Sequence, residues 1–475
     1  MSSPTTFTFD PMRILVVTEY LPPYVSGIAK RFKNLTKGYR DAGHVVTIAS
    51  VAGTACDMVV PSLPNPFYMQ QRMFIFPPWL LIWQLINPFT SVPYDIVHIV
   101  SPLCLAFVPL IPLFKLRGVK VYVSYHVLME YYKEAYFYHK TIFHRLTGDL
   151  INIIYIYLYF IFLVSWADVV GVPSKIADSV VYKYAPRIHF MKSGLNTDVF
   201  VPQVREQGSM DDLLMASSSE VHVGIKEGGK RRGRGRVASE EEQLPPYSKQ
   251  PSTEMVEPVE KGPTLVYVGR LAPEKNVQFL VKAMAHPSLS RATLVLVGDG
   301  PFRPHLESVA VETVGASHVY SKPTVQPSPT PYSSLAESPA MSATTTHHRV
   351  IFTGVVLSEQ EVAKYYARAD MFVSASASET FGFTVAEAMA CGTPAVVVRE
   401  GAFKSVYSVI DEWMFRDGDQ EDFVQKIGTC FGDERARNLA RHLALKHFRV
   451  SLAVDDLLQT YNDVVRPKQR VVVES

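Results

Sequence analysis

Short, unbroken apolar runs alternate with stretches of helical periodicity along the whole chain. In the first half the runs are 13–18, 45–49, 95–100, 120–124 and 168–172; in the second they are 264–268, 292–297, 350–353, 371–374 and 395–398. None of them alternates polar with apolar residues. Each therefore predicts a strand buried on both faces, and such strands belong to parallel sheets covered by helices. Two such series predict an α/β chain of two doubly wound, Rossmann-like domains facing each other across a cleft.

Two segments interrupt the pattern. Residues 203–262 are polar and rich in Gly, Ser and Glu, with a basic run at Lys230–Arg236. Residues 317–348 are rich in Pro, Ser and Thr. Neither can bury a core, so both are expected as loosely held inserts. The expected organisation is a first, acceptor-side domain over 1–202, an insert over 203–262, and a second, ligand-binding domain over 263–450 that contains the 317–348 insert. Residues 451–475 are expected to return to the first domain. The basic run reads as a solvated linker, with anionic lipid or nucleic acid as the alternative contacts.

At 475 residues the chain exceeds one compact core. It is 47% hydrophobic and 19% charged with a net charge of +2, so no global field argues for a nucleic-acid partner. Cys56, Cys104, Cys391 and Cys430 are scattered without metal-ligand spacing, which points to a reducing compartment and no metal site. No apolar stretch precedes Arg13, so no signal peptide is expected. Two stretches are strongly aromatic and apolar, Ile151–Trp166 and Phe67–Phe89 with Trp79 and Trp83. The first reads as a buried domain helix, as a helix lying in a membrane surface, or as a short span. The second supports the membrane-surface reading, although core packing also explains either stretch.

Several strand ends carry candidate chemistry. Glu379-Thr-Phe-Gly-Phe-Thr-Val-Ala-Glu387 leads into a helix that stops at Gly392-Thr-Pro394 before the next strand. Amides at Gly382, Phe383 and Thr384 would open that helix and suit a phosphate. Glu387, one turn in, could accept hydrogen bonds from both hydroxyls of a ribose. Glu379 and Phe381 precede the turn. Together these suit a ligand with phosphates at one end and hydroxyls on both sides, such as a sugar nucleotide. Arg270 and Lys275 lie five apart on a Pro-containing loop, as a pair for a diphosphate or as solvated charges. Gly27, at a strand-to-helix turn, permits close approach of a ligand or simply a tight turn. His126 follows a strand end, as a ligand contact or a packed residue. Asp299, in Gly298-Asp-Gly300, reads as a helix cap.

Taken together, Gly269-Arg270 through Lys275, Gly298-Asp-Gly-Pro301, Phe352-Thr-Gly354 and Glu379 through Glu387 resemble the retaining glycosyltransferases of GT-B architecture, family four type. Within that family, Tyr24-Val-Ser-Gly27, Lys30-Arg-Phe32, Ser124-Tyr-His126 and Lys192–Asn196 with Phe200 are most similar to the sulfoquinovosyl branch of plants and cyanobacteria. The resemblance implies a metal-independent, retaining hexosyltransferase without a cofactor. Its donor would be a nucleotide sugar, UDP-sulfoquinovose first, with UDP-glucose or GDP-mannose as alternatives. Its acceptor would be a lipid, diacylglycerol first, at the cytosolic face of a membrane with the enzyme bound peripherally; another lipid or a soluble glycan is the alternative acceptor, and a non-catalytic sugar-nucleotide-binding protein is the alternative of another class. It implies that Gly27 lies against the donor phosphate and sugar, and that His126 contacts the transferred sugar. Arg270 and Lys275 would neutralise the diphosphate. Glu379 would hold sugar hydroxyls, Glu387 the ribose, and backbone at Gly354 and Val355 the base.

Overall fold

The computed structural model describes residues 10–65, 68–126, 164–202, 210–219, 262–322 and 348–467, apart from short gaps at 20, 23–26, 88, 102–104 and 176–180, together with residues 146 and 149–150. Most of the Ile151–Trp166 stretch and the whole of the Lys230–Arg236 run lie outside the described residues.

The first domain contains β1 (Arg13–Val17), β2 (Val45–Ser50), β3 (Met58–Val59), the hairpin strands β4 (Ser62–Asn65) and β5 (Tyr68–Phe74), then β6 (Ile96–Ser101), β7 (Lys120–Tyr125), β8 (Val169–Val172) and β9 (Ile188–Phe190). The second contains β10 (Thr264–Val268), β11 (Thr293–Val297), β12 (Val319–Ser321), β13 (Arg349–Gly354), β14 (Met371–Ser374), β15 (Ala395–Val398) and β16 (Met414–Phe415). Each domain has one seven-stranded parallel sheet, in the orders β3-β2-β1-β6-β7-β8-β9 and β12-β13-β11-β10-β14-β15-β16. Both orders reverse beside the domain's first strand. Such a switch point leaves a crevice at the carboxyl ends of the strands, where ligands bind in open α/β sheets.

The doubly wound α/β architecture read from the continuous apolar runs is the observed one. The runs work because both faces of each strand are covered. Along β1, Ile14 and Val16 pack with Phe32, Leu35 and Tyr39 of the Gly27–Asp41 helix. Leu15 and Val17 face the opposite way, among Phe107, Ile111 and Phe114. The C-terminal helix Val450–Val465 lies on the first of these faces, with Ala453, Leu457, Leu458 and Tyr461 buried in the same cluster.

Two expectations need correction. Within 203–262, the Met210–Ser219 helix is not a loose linker: Met210, Leu213 and Leu214 are buried in the second domain's core, and Asp211 accepts from Arg349 at 2.8 Å. Its apolar residues sit in one short helix between polar segments and so do not stand out as a core element. The 317–348 insert likewise begins too early, because Val319–Ser321 pairs with β13 as the edge strand β12. Three residues at a sheet edge carry too little pattern to be recognised as a strand.

Glu19, just past β1, introduces a pH-dependent cost. Its side chain is buried beneath the β4–β5 hairpin: Oε1 accepts the Phe74 amide at 2.8 Å, and Oε2 has no partner among the described residues. Burial pushes this carboxyl from 4.5 up to about 8, against the lowering effect of the Phe74 bond. In the folded chain it therefore keeps its proton at neutral pH, whereas the unfolded chain loses it. Stability from this group is intact below about pH 4.5, falls as pH rises towards 8, and then levels off. Glu19→Gln, which mimics the protonated form, should melt increasingly above the wild type as pH is raised from 5 to 8. A gap of at most a few kcal/mol is expected, and a gap independent of pH in thermal melts would refute this account.

Candidate active site

The helix Phe383–Ala390 opens at Gly382, whose φ of 80° and ψ of 60° are left-handed. A Cβ there would sit 2.5 Å from Phe403 Cε1, so glycine is required for both space and backbone conformation. Tyr407 locks the turn by donating its hydroxyl to the Gly382 carbonyl at 2.7 Å. Gly382 precedes the helix, and the amides of Phe383 and Thr384 lie in its first turn, where backbone donors have no partner within the helix.

Gly27 is the first residue of the Gly27–Asp41 helix of the first domain, and it abuts this turn. A Cβ on Gly27 would lie 3.1 Å from the Phe383 ring. That ring in turn packs on buried Phe381 at 4.7 Å between centroids. Two helix starts, one from each domain, thus meet across the cleft.

Glu387 is 2% exposed. Its Oε1 accepts from Lys30 Nζ at 3.0 Å, and its Oε2 accepts from the Tyr366 hydroxyl at 3.0 Å. Lys30 comes from the first domain and also stands 4.0 Å from Glu359. Burial works against the Lys30 ammonium, but Glu387 and Glu359 outweigh it and hold its pKa above the usual lysine value. Sequence reasoning identified Glu387 and missed Lys30 as its partner. The only clue was the Lys30-Arg-Phe32 sequence after Gly27, and no spacing rule connects residues so far apart in the chain.

The loop after β10 places the cations. Lys275 Nζ donates to Glu379 Oε1 at 2.6 Å, and Arg270 pairs with Glu274. Ser378 Oγ donates to the Glu274 carbonyl at 3.0 Å, tying this loop to the one that carries Glu379. Asn276, next to Lys275, is the one non-glycine with positive φ among the described residues, at 47°. Backbone strain of this kind persists only where the surroundings enforce it. The structure therefore brings Lys275 and Glu379 together, and gives Arg270 a carboxylate, Glu274, that the sequence did not single out.

The other strand ends converge beside this loop. Gly298 donates its amide to the Gly354 carbonyl at 2.9 Å, and a Cβ on Gly298 would lie 2.0 Å from the Gly269 carbonyl oxygen. Val355 follows, half exposed. Asp299 is not the expected helix cap. It accepts from the Gly300 amide at 2.7 Å and from Arg303 at 3.1 Å, and Phe302 stands at the start of the Arg303–Val314 helix without a side-chain cap. Arg303, close to the strand ends, uses its reach to gather Asp299, Glu307 and Ser321 around one guanidinium.

In the first domain His126 follows β7 and is buried. Its Nε2 lies 2.9 Å from Ser124 Oγ, and its ring meets Phe32 edge-on at 5.6 Å. Burial, with help from Arg31 and His98, holds its pKa well below the ordinary imidazole value, so it is neutral at pH 7. Among the described residues no group of three or more His, Cys, Asp and Glu is arranged to hold a metal.

A family model described as Glycosyltransferase Family 4 matches residues 25–199, and one described as Glycosyl transferases group 1 matches 262–336 and 329–433. The sulfoquinovosyl transferase SQD2 of Arabidopsis thaliana is 25% identical over 445 residues, covering 90% of this chain and 68% of that protein. The alpha-monoglucosyldiacylglycerol synthase of Streptococcus pneumoniae is 32% identical over 135 residues, 28% of this chain and 23% of that one. Among solved structures, sucrose-phosphate synthase from Thermosynechococcus elongatus has a similar fold, with a TM-score of 0.56 at 17% identity over 95% of this chain and 98% of that one. With family models matched across both halves and the fold shared with solved glycosyltransferases, the chain belongs to the family 4 glycosyltransferases of GT-B architecture.

Proposed function

We propose that the protein is a retaining, metal-independent glycosyltransferase that moves a sugar from a UDP-linked donor to a lipid at a membrane surface. Transfer of sulfoquinovose from UDP-sulfoquinovose to diacylglycerol is the leading assignment. The observation that carries the reading is the grouping of Arg270, Lys275 and Glu379 on tied loops, in the domain that also carries the Gly382 turn and buried Glu387. Relatives supply the substrate class: the plant protein is named for sulfoquinovosyl transfer, and the streptococcal one for making a glucosylated diacylglycerol.

In this reading the donor's diphosphate meets Arg270, Lys275 and the amides at Gly382–Thr384. The ribose hydroxyls engage Glu387, where Lys30 now donates. Backbone at Gly354 and Val355 meets the base, and Gly27 leaves room for the donor phosphate and sugar. Glu379 holds hydroxyls of the transferred sugar, and His126 reaches it from the first domain. As the bond between the anomeric carbon and the phosphate oxygen lengthens, charge builds on that oxygen. The fixed cations and amides are aimed at this charge, which is the main source of rate in such a site. The acceptor hydroxyl attacks the same face, its proton passes to the departing phosphate oxygen, and the anomeric configuration is kept. The two cations do the neutralising that would otherwise call for a metal ion.

The lipid acceptor has support in the first domain. The Trp79–Ile86 helix buries only Leu81 and Leu85, whereas Trp79, Leu80, Trp83 and Ile86 are exposed, with Ile75, Phe76 and Phe89 exposed nearby. Exposed tryptophans beside aliphatic residues suit the boundary between headgroups and acyl chains. The Phe74–Glu19 bond ties this apolar face to the carboxyl end of β1. The proposed attachment is peripheral; among the described residues no helix is long and apolar enough to cross a membrane.

Lys275→Ala should lower kcat by roughly 10²-fold, the loss seen when one preorganised charge contact is removed. Turnover at the wild-type rate, measured with whichever of UDP-sulfoquinovose, UDP-glucose and GDP-mannose binds in calorimetry, would rule out the cation's role. The anomeric configuration of the product, read by NMR, tests retention directly. Replacing Trp79 and Trp83 together with Ser should abolish flotation with diacylglycerol-containing anionic vesicles, while transfer to a short-chain, water-soluble acceptor persists. Undiminished flotation would remove this face from the membrane contact.

A further inference from the structure

A continuous run of hydrogen bonds crosses the interior of the first domain and ends at His126. Tyr39, on the Gly27–Asp41 helix, and Tyr461, on the C-terminal helix, meet hydroxyl to hydroxyl at 3.4 Å. The Tyr461 hydroxyl lies 2.5 Å from His98 Nδ1 on β6. His98 Nε2 lies 2.7 Å from Ser124 Oγ on β7, and Ser124 Oγ lies 2.9 Å from His126 Nε2. Tyr39, His98, Ser124 and Tyr461 are wholly buried. Edge-on rings fix them laterally: His98 against Phe32, Tyr122 and Tyr461, and His126 against Phe32.

All members of this run are neutral at pH 7. Burial holds both imidazoles well below their ordinary pKa, with the buried Arg31 cation adding to the effect, and lifts Tyr461 well above its own. Arg31 itself donates to Ser193 Oγ at 2.6 Å and to the Lys192 carbonyl at 2.8 Å. A run of neutral groups must have a direction, since each bond needs one hydrogen and one lone pair. The shortest link sets it. A phenol is a stronger acid than a neutral imidazole N–H, so Tyr461 donates to His98 Nδ1. His98 then carries its proton on Nε2 and donates to Ser124 Oγ. Ser124 donates onward to His126 Nε2. The one ring proton of His126 is left on Nδ1, which has no hydrogen-bond partner among the described residues.

We propose that Tyr461, His98 and Ser124 are positioning residues that hold His126 as its Nδ1–H tautomer, making it a hydrogen-bond donor to an oxygen of the bound sugar. The proposal rests on the reading above, in which His126 contacts the donor sugar. It gives the C-terminal helix a part in the site, because the proton order begins at Tyr461. Without that donor His98 is free to turn its tautomer over, Ser124 can reverse its hydroxyl, and His126 can present a lone pair in place of a proton.

The test uses the full chain with 15N-labelled histidine. Ring-nitrogen NMR signals distinguish the two tautomers, and the His126→Gln protein identifies the His126 signals by their loss. In the wild type, His126 should be protonated on Nδ1. In Tyr461→Phe, which keeps the ring and its packing, and in Ser124→Ala, which cuts the run beside His126, the signals should shift towards a mixture of tautomers. In both variants kcat should fall by about tenfold, the scale of one neutral hydrogen bond, with donor KM little changed. Wild-type His126 protonated on Nε2, or an unchanged His126 signal in both variants, would overturn the proposal. Full activity in His126→Gln would instead remove His126 from the reaction while leaving the tautomer result standing, so the two failures are distinguishable. A circular-dichroism melt of each variant separates loss of fold from loss of order.

Discussion

A carboxylate with 2% exposure cannot keep its charge without partners, and Glu387 draws one of its two from the opposite domain. Lys30 reaches it from a helix whose other faces are committed. Gly27 and Lys30, three apart, look towards the second domain. Phe32, Leu35 and Tyr39 face the core beneath β1. Arg31 is buried among backbone and serine oxygens. Because one rigid helix carries all of these contacts, satisfying Glu387 also fixes where the first domain's interior stands relative to the second domain's helix start. A ligand whose hydroxyls take over the Glu387 oxygens releases Lys30, so on the proposed reading donor binding and domain contact compete for the same carboxylate.

The chain limits how the domains can move apart. It crosses from first to second domain after Leu195 and returns at Phe448–Val450, and the two crossings run side by side. Leu195 donates its amide to the Phe448 carbonyl at 2.8 Å, and Val450 donates to the Leu195 carbonyl at 3.2 Å. Bending there moves both connections at once, which favours a hinge over sliding. The return also delivers Tyr461 to the centre of the first domain, so the segment that forms the hinge continues into the helix that orders His98.

What the sequence made legible follows from how strongly each feature is patterned. Ten interior strands were readable because a strand covered on both faces must be apolar throughout, and helices on both sides then follow. The edge strands β3, β9, β12 and β16 are two or three residues long and carry no such signature. The Gly382 turn was legible because only glycine fits a left-handed residue pressed against Phe403. Lys30, Glu274 and the order from Tyr461 to His126 were not, because each is a contact between residues from distant parts of the chain or a role set by what surrounds it. A polar residue in a helical pattern looks the same whether it faces solvent or a buried carboxylate.

Charge pairing holds the cations of this cleft in place. Lys275 is held by Glu379, Arg270 by Glu274, and Lys30 by Glu387. Each pair lies largely out of solvent, where an unpaired charge would be costly and a loose one poorly aimed. On the proposed reading a diphosphate offers the two loop cations a second set of oxygens. On that reading the carboxylates then turn to hydroxyls. For Glu379 this gives one side chain two roles: it pairs with Lys275, and on the proposed reading it grips the sugar while the diphosphate leaves. On the proposed reading such a site loses little reorganisation energy at the moment of bond breaking, because the charges that meet the departing phosphate are already ordered by their acidic partners.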